Sequence, residues 1–184
     1  MDSSYDQAKL IELIRTHSLK VGDFTLASGK QAKYYLDCRK VTLHPQGANQ
    51  IAAGILDLLG DQMPDAIGGM AIGADPITAA TITLAGQRDL PLLGFIVRKE
   101  AKGHGTGQDV EGPVTSGMSA VIVEDVVTTG GSSLKAIEKV EAFGIKVLQV
   151  IAIVDRLAGG KEAFAEKGYE LRSLLTIRDF GLDA

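Results

Sequence analysis

The stretch 119–144 reads SAVIVEDVVTTGGSSLKAIEKVEAFG. An apolar run ends in two acids, Glu124 and Asp125, continues through Val126 and Val127 to Thr128, Thr129, Gly130, Gly131 and Ser132, and enters a segment of helical periodicity. Glycines permit tight turns, hydroxyls donate hydrogen bonds, and a helix N-terminus presents unpaired N–H groups with partial positive charge. Residues 128–132 are therefore expected to cradle a phosphate. Carboxylates at the end of the preceding strand lie where open α/β sheets bind ligands, and they suit ribose hydroxyls or the water shell of a magnesium ion. Together these types point to a sugar phosphate. An ordinary strand-to-helix turn would use Thr128 or Thr129 only as a cap; the double acid followed by TTGGS favours the ligand.

A second chemically loaded stretch is RKEAKGHGTGQDVEGPVTSG, residues 98–117. It is polar, rich in glycine, aperiodic and basic at its start, which predicts a functional lid rather than a plain connection. A P-loop and a dinucleotide fingerprint are both missing from the sequence: neither G-x-x-x-x-G-K-[ST] nor G-x-G-x-x-G occurs.

Elements must position these groups. Leu10, Ile11, Leu13 and Ile14 predict an amphipathic helix from Tyr5 to His17, and Phe24 to Arg39, with its Ser28-Gly29 turn and Tyr34-Tyr35 pair, predicts a hairpin-like stretch. GANQIAAGILDLLG reads as a helix, AIGGMAIG as a buried strand opening into a loop, PITAATITLAG as a helix, LLGFIVR and MSAVIVED as strands, SSLKAIEKVEAFG as a helix and KVLQVIAIVD as a strand. KEAFAEKG is a further helix before a last strand at Leu171 to Thr176. Apolar strands alternating with helices predict an α/β fold, a mostly parallel sheet flanked by helices. The 184 residues suit one domain, 1–184, with residues 1–44 forming a small N-terminal lobe.

Composition narrows the function classes. A net charge of −4 argues against general nucleic-acid binding. Cys38 is the single cysteine, so no internal disulfide is possible and a reducing cytoplasm is expected. The N-terminus lacks the apolar core of a signal peptide, and no apolar run is long enough for a membrane helix.

VIVEDVVTTGGS resembles the motif with which type I phosphoribosyltransferases bind phosphoribosyl pyrophosphate (PRPP): an apolar run, two acids, two variable residues and Thr-Thr-Gly. FTLASGKQAKYYLDCRK, RKEAKGHGTG and IVDR resemble the orotate branch of that family in order and spacing, from about Phe24 to Arg156. The resemblance implies transfer of ribose 5-phosphate from PRPP to orotate, giving orotidine 5'-phosphate and pyrophosphate in de novo pyrimidine biosynthesis. It also implies a lobe of the hood type at 1–44, Mg2+ held mainly by PRPP and water, and a homodimer in which loop 98–117 completes the neighbouring site.

The resemblance assigns Arg98, Lys99, Lys102 and His104 to the pyrophosphate end of PRPP, and Glu124 to Ser132 to its ribose and 5'-phosphate. Lys102, His104 and Asp125 are the implied catalytic residues, while Thr128 and Arg156 would meet the carboxylate and ring edge of orotate. A planar guanidinium suits a carboxylate, although Arg156 could instead pair on the surface. Tyr35 stands where an aromatic faces the base; a core tyrosine is the other reading. Ala27 and the Gly73-Ala74-Asp75-Pro76 turn stand where relatives often carry lysine; Lys30 or Lys33 could offset Ala27, and Asp75 could face magnesium. Transfer to a purine or uracil, and a PRPP-sensing or RNA-binding regulator on the same fold, are the rival readings.

Overall fold

The computed structural model describes residues 4–25, 31–100 and 109–183. Ala27, the Ser28-Gly29 turn, Lys30, Lys102 and His104 lie outside the described residues.

Helix α1 (Gln7–His17) starts where the Asp6 carboxylate accepts from the Lys9 N–H, and it buries Leu10 and Ile14, which are one turn apart. Strands β1 (Leu19–Thr25) and β2 (Gln31–Leu36) form an antiparallel hairpin. The hairpin thus begins five residues earlier than the sequence suggested: Gly22 lies within β1, beside a break in its register, rather than after the helix. A short helix α2 (Arg39–Thr42) leads into α3 (Pro45–Leu59), which has proline in its first turn and ends at Gly60.

The alternation then follows the expected order. Strand β3 (Ala66–Met70), helix α4 (Asp75–Gln87), strand β4 (Leu93–Val97), strand β5 (Val110–Glu111) and strand β6 (Ser119–Val127) come first. Helix α5 (Gly131–Ala142), strand β7 (Lys146–Asp155), helix α6 (Gly160–Glu166) and strand β8 (Glu170–Thr176) complete it, with a closing 3-10 turn at Ile177–Phe180. The main sheet has the order β5-β4-β3-β6-β7-β8 and is parallel except for β5. The expected α/β fold is present. The expectation that 98–117 lacks regular structure is corrected, because Val110 and Glu111 pair with Val97 and Ile96 as an edge strand too short to show a period.

Alternate residues of the strands face two cores, as the two-residue period requires. Ile67, Val121, Val123, Ile151 and Ile153 pack in one core with α1, α3 and α4. Ala66, Ala120, Ile122, Val150 and Ala152 pack in the other, against Ala136, Ile137 and Val140 of α5 and Phe164 of α6. Fully burying one such isoleucine stabilises the fold by roughly 1.5–3 kcal/mol, so the sheet is a firm platform for whatever its loops carry. No helix among the described residues is long and apolar enough to cross a membrane.

Candidate active site

Register brings the site together. Val127 of β6 lies opposite Asp155 of β7, and the Arg156 N–H donates to the Val127 carbonyl at 2.9 Å, so Thr128 and Arg156 leave neighbouring strands side by side. On the other side of β6, β3 ends at Met70 and turns through Ala71, Ile72 and Gly73. A Cβ on Gly73 would stand 3.3 Å from both a Glu124 and an Asp125 carboxylate oxygen, so this turn lies directly against the acids. Such a crevice at the carboxyl ends of parallel strands is where open α/β sheets bind ligands.

The cradle is a concavity of about 170 Å³ formed by Glu124 and residues 126–133. Gly130, with φ of +79°, caps α5, and a Cβ there would meet the Phe164 ring at 2.9 Å. Glycine is thus required by both backbone and packing. Among the described residues no side chain caps α5, and Gly131, Ser132 and Ser133 of its first turn, whose N–H groups lack helical partners, line the concavity.

Glu124 is only 7 % exposed, and its Oε2 accepts from the buried Ser133 hydroxyl at 2.9 Å. Burial pushes its carboxyl up to about 7; the Ser133 hydrogen bond opposes that shift and the neighbouring Asp125 charge adds to it. Asp125 accepts from the Val126 N–H at 2.9 Å and faces the main cleft.

That cleft encloses about 350 Å³, and Asp125, Thr128, Ser132, Arg156, Tyr35 and Lys99 are among its walls. The expected residues Glu124 and Val126 also border it, while Val127, Thr129, Gly130 and Gly131 belong to the adjoining cradle. Arg98 pairs with Glu111 and lines a neighbouring cavity rather than the cleft itself. Asp75 does not face the cleft: it opens α4 and lines a separate cavity with Thr78 and Phe95. Lys33 pairs with Asp23 on the exposed hairpin at 2.6 Å.

Two contributions were not anticipated, those of Tyr34 and Arg39. The Tyr34 hydroxyl accepts from Arg156 Nε at 2.8 Å, and its ring lies 4.7 Å below the guanidinium carbon. The more buried member of the tyrosine pair thus fixes the arginine, while its exposed neighbour Tyr35 faces the cleft. Arg39 borders the cleft and is held by the Asp37 carboxylate, whose pKa the Arg39 hydrogen bond lowers. The alternation of side chains along β2 was the available signal for separating Tyr34 from Tyr35; Arg39 had none.

Among the described residues, no group of three or more His, Cys, Asp or Glu forms a metal cage. Glu124 and Asp125 fit a magnesium ion that draws its other oxygens from a phosphate ligand and water.

Comparison with known proteins identifies the relatives of this architecture. The phosphoribosyl transferase domain family matches residues 41–172. The orotate phosphoribosyltransferase of Rhodopirellula baltica is 63 % identical over 97 % of this chain and 95 % of its own. The structure of Mycobacterium tuberculosis H37Rv orotate phosphoribosyltransferase in complex with Fe(III) dicitrate superposes with a TM-score of 0.86, at 39 % identity over 96 % of this chain and 99 % of that one. The same enzyme in complex with PRPP gives 0.82 at 35 % identity, over 96 % and 99 % of the two chains. With the cradle, the paired acids and the strand-end arginine in place on this fold, the chain belongs to the phosphoribosyltransferase family, among relatives named orotate phosphoribosyltransferase.

Proposed function

We propose that the protein is an orotate phosphoribosyltransferase, moving ribose 5-phosphate from PRPP to orotate in pyrimidine biosynthesis. The observation that carries this reading is the single cleft in which Asp125, Thr128 and Arg156 face one another beside the cradle. The 5'-phosphate would sit on the α5 N-terminus, and Glu124 and Asp125 would accept from the ribose hydroxyls. Arg156, oriented by Tyr34, would pair with the orotate carboxylate, and Tyr35 would lie against its ring.

Magnesium bound with PRPP would supply positive charge against the pyrophosphate. Lys99 at the cleft rim and Arg98 beside it support the assignment of this side to pyrophosphate. The resemblance adds Lys102 and His104. As the C1–O bond breaks, negative charge grows on the leaving group, so these cations bind the transition state more strongly than the substrate. The orotate ring nitrogen, its proton given up to water, then attacks C1 with inversion as pyrophosphate leaves, and no covalent enzyme intermediate is needed. Positioning and exclusion of water account for the rate.

A homodimer and a cytoplasmic location belong to the same proposal. The described part of 98–117 is fastened to its own sheet through β5.

Orotate absorbance followed with PRPP and magnesium tests the reading, with a chelator, omission of PRPP and Lys102→Ala as controls. Loss of absorbance that depends on both additions is expected, with turnover of the variant lower by roughly 100- to 1,000-fold. If orotate is untouched while PRPP still binds, the substrate is a different base.

A further inference from the structure

The cradle and the pyrophosphate-side cations come from different parts of the sequence, and one side chain joins them. Lys139 lies on α5, the helix whose first turn forms the cradle and whose Ser133 holds Glu124. Its Nζ donates to the Arg98 carbonyl at 2.8 Å, to the Lys99 carbonyl at 3.2 Å and to the Asp109 carboxylate at 2.9 Å. An ammonium group has three hydrogens and no acceptor, so these three partners saturate it. Arg98 and Asp109 are further joined by the Arg98 N–H donating to the Asp109 carbonyl at 2.9 Å, which prolongs the β4–β5 pairing.

This differs from a surface ion pair, which contributes little and fixes little. The Lys139 side chain is 24 % exposed, and two of its three bonds go to main-chain oxygens. They therefore fix the backbone from which Arg98 and Lys99 project. Ser133 and Lys139 are six residues apart on one helix, about 9 Å along its axis. One rigid element holds the ribose-side carboxylate at one point and the backbone bearing the cations at another.

We infer that Lys139 is a positioning residue for the reaction proposed above: by holding the main chain at Arg98 and Lys99 it sets the spacing between the phosphate cradle and Lys99, which lines the same cleft, to match PRPP with its pyrophosphate. The inference rests on that reading of the site. Lys139 lines neither the cleft nor the cradle, and it acts through the main chain it holds at Arg98 and Lys99.

Steady-state kinetics of Lys139→Met, Lys139→Arg and Asp109→Asn, with thermal unfolding of each and calorimetric titration of magnesium pyrophosphate, test the inference. Lys139→Met is expected to raise KM for PRPP and Kd for pyrophosphate about tenfold, leaving KM for orotate within about twofold. Asp109→Asn should shift the same constants by about threefold, since it removes the negative charge of one partner of three while leaving an oxygen to accept. Lys139→Arg should fall between wild type and Lys139→Met, keeping the charge but not three hydrogens on one nitrogen. The double variant Lys139→Met/Asp109→Asn should be no worse than Lys139→Met alone. Equal rises in KM for both substrates, or unchanged KM for PRPP, would overturn the inference even with a lower melting temperature. If Lys139→Met does not fold, the other two single variants decide by the same split. A wild-type protein that binds pyrophosphate but does not consume orotate would instead remove the proposed function.

Discussion

The cradle and the wall facing it are built in opposite ways. Residues 124–133 are contiguous and use main-chain N–H groups at a helix start, a glycine that no other residue replaces without strain, and two acids at a strand end. The opposite wall joins Arg156 of the strand-end loop after β7 to Tyr34 of the hairpin, 122 residues away in sequence, through side chains alone. On the proposed reading the phosphate of PRPP would be met by backbone, and the base that distinguishes one such reaction from another by side chains that distant segments must deliver. Specificity can therefore change without disturbing the cradle.

The largest effect that would sharpen this contrast is expected at Asp125. Asp125→Asn should lower kcat/KM for PRPP several-hundred-fold, as two charge-assisted bonds at roughly 1.5–3 kcal/mol each are weakened. A loss confined to KM for orotate would put this acid on the wrong side of the comparison.

Glu124 adds a dependence on pH. Its folded-state pKa is raised to about 7, above the ordinary 4.5. The group's contribution to stability is therefore fully present below about 4.5 and is lost as pH rises through about 7. In urea unfolding at pH 4.5 and pH 8, wild type should lose stability relative to Glu124→Gln, by at most about 3 kcal/mol. An unchanged difference between the two proteins would show that the carboxylate is better solvated than its burial indicates.

Gly130→Ala should cost about 2 kcal/mol in the same measurement, from the positive φ and the contact with Phe164. PRPP binding should weaken with it, because strain at the helix start displaces the N–H groups. On the opposite wall, Tyr34→Phe should raise KM for orotate about fivefold, with KM for PRPP nearly unchanged. The ring would still lie under the guanidinium, but the hydrogen bond from Nε, of the order of 1 kcal/mol, would be gone. Equal effects on both substrates would break the division between cradle and wall.

Much of this was legible in the sequence because it depends on short-range rules. Alternation of apolar strands with helices of amphipathic period specified the α/β architecture, and β7 was read with its observed bounds, Lys146–Asp155. The cradle was legible for the same reason: strand, acids, hydroxyls, glycines and helix follow one another within a few residues, so local geometry dictates the arrangement. Strand β5 was not, since two residues carry no period and their pairing with β4 is a tertiary event. Nor was the division of labour between Tyr34 and Tyr35, which follows from the face each presents on β2 once the hairpin is docked.

The sequence by itself determined the kind of fold and the position of the glycine-rich concavity at the start of α5, because backbone conformation and hydrophobic period act over neighbouring residues. Only the tertiary structure decided that Tyr34 orients Arg156, that Asp75 faces a different cavity, that Gly73 lies against the acids and that Lys139 gathers Arg98, Lys99 and Asp109. Each of these depends on where packing brings distant segments into contact, and a hydrogen bond just under 3 Å long is made or missed by shifts that no local pattern encodes.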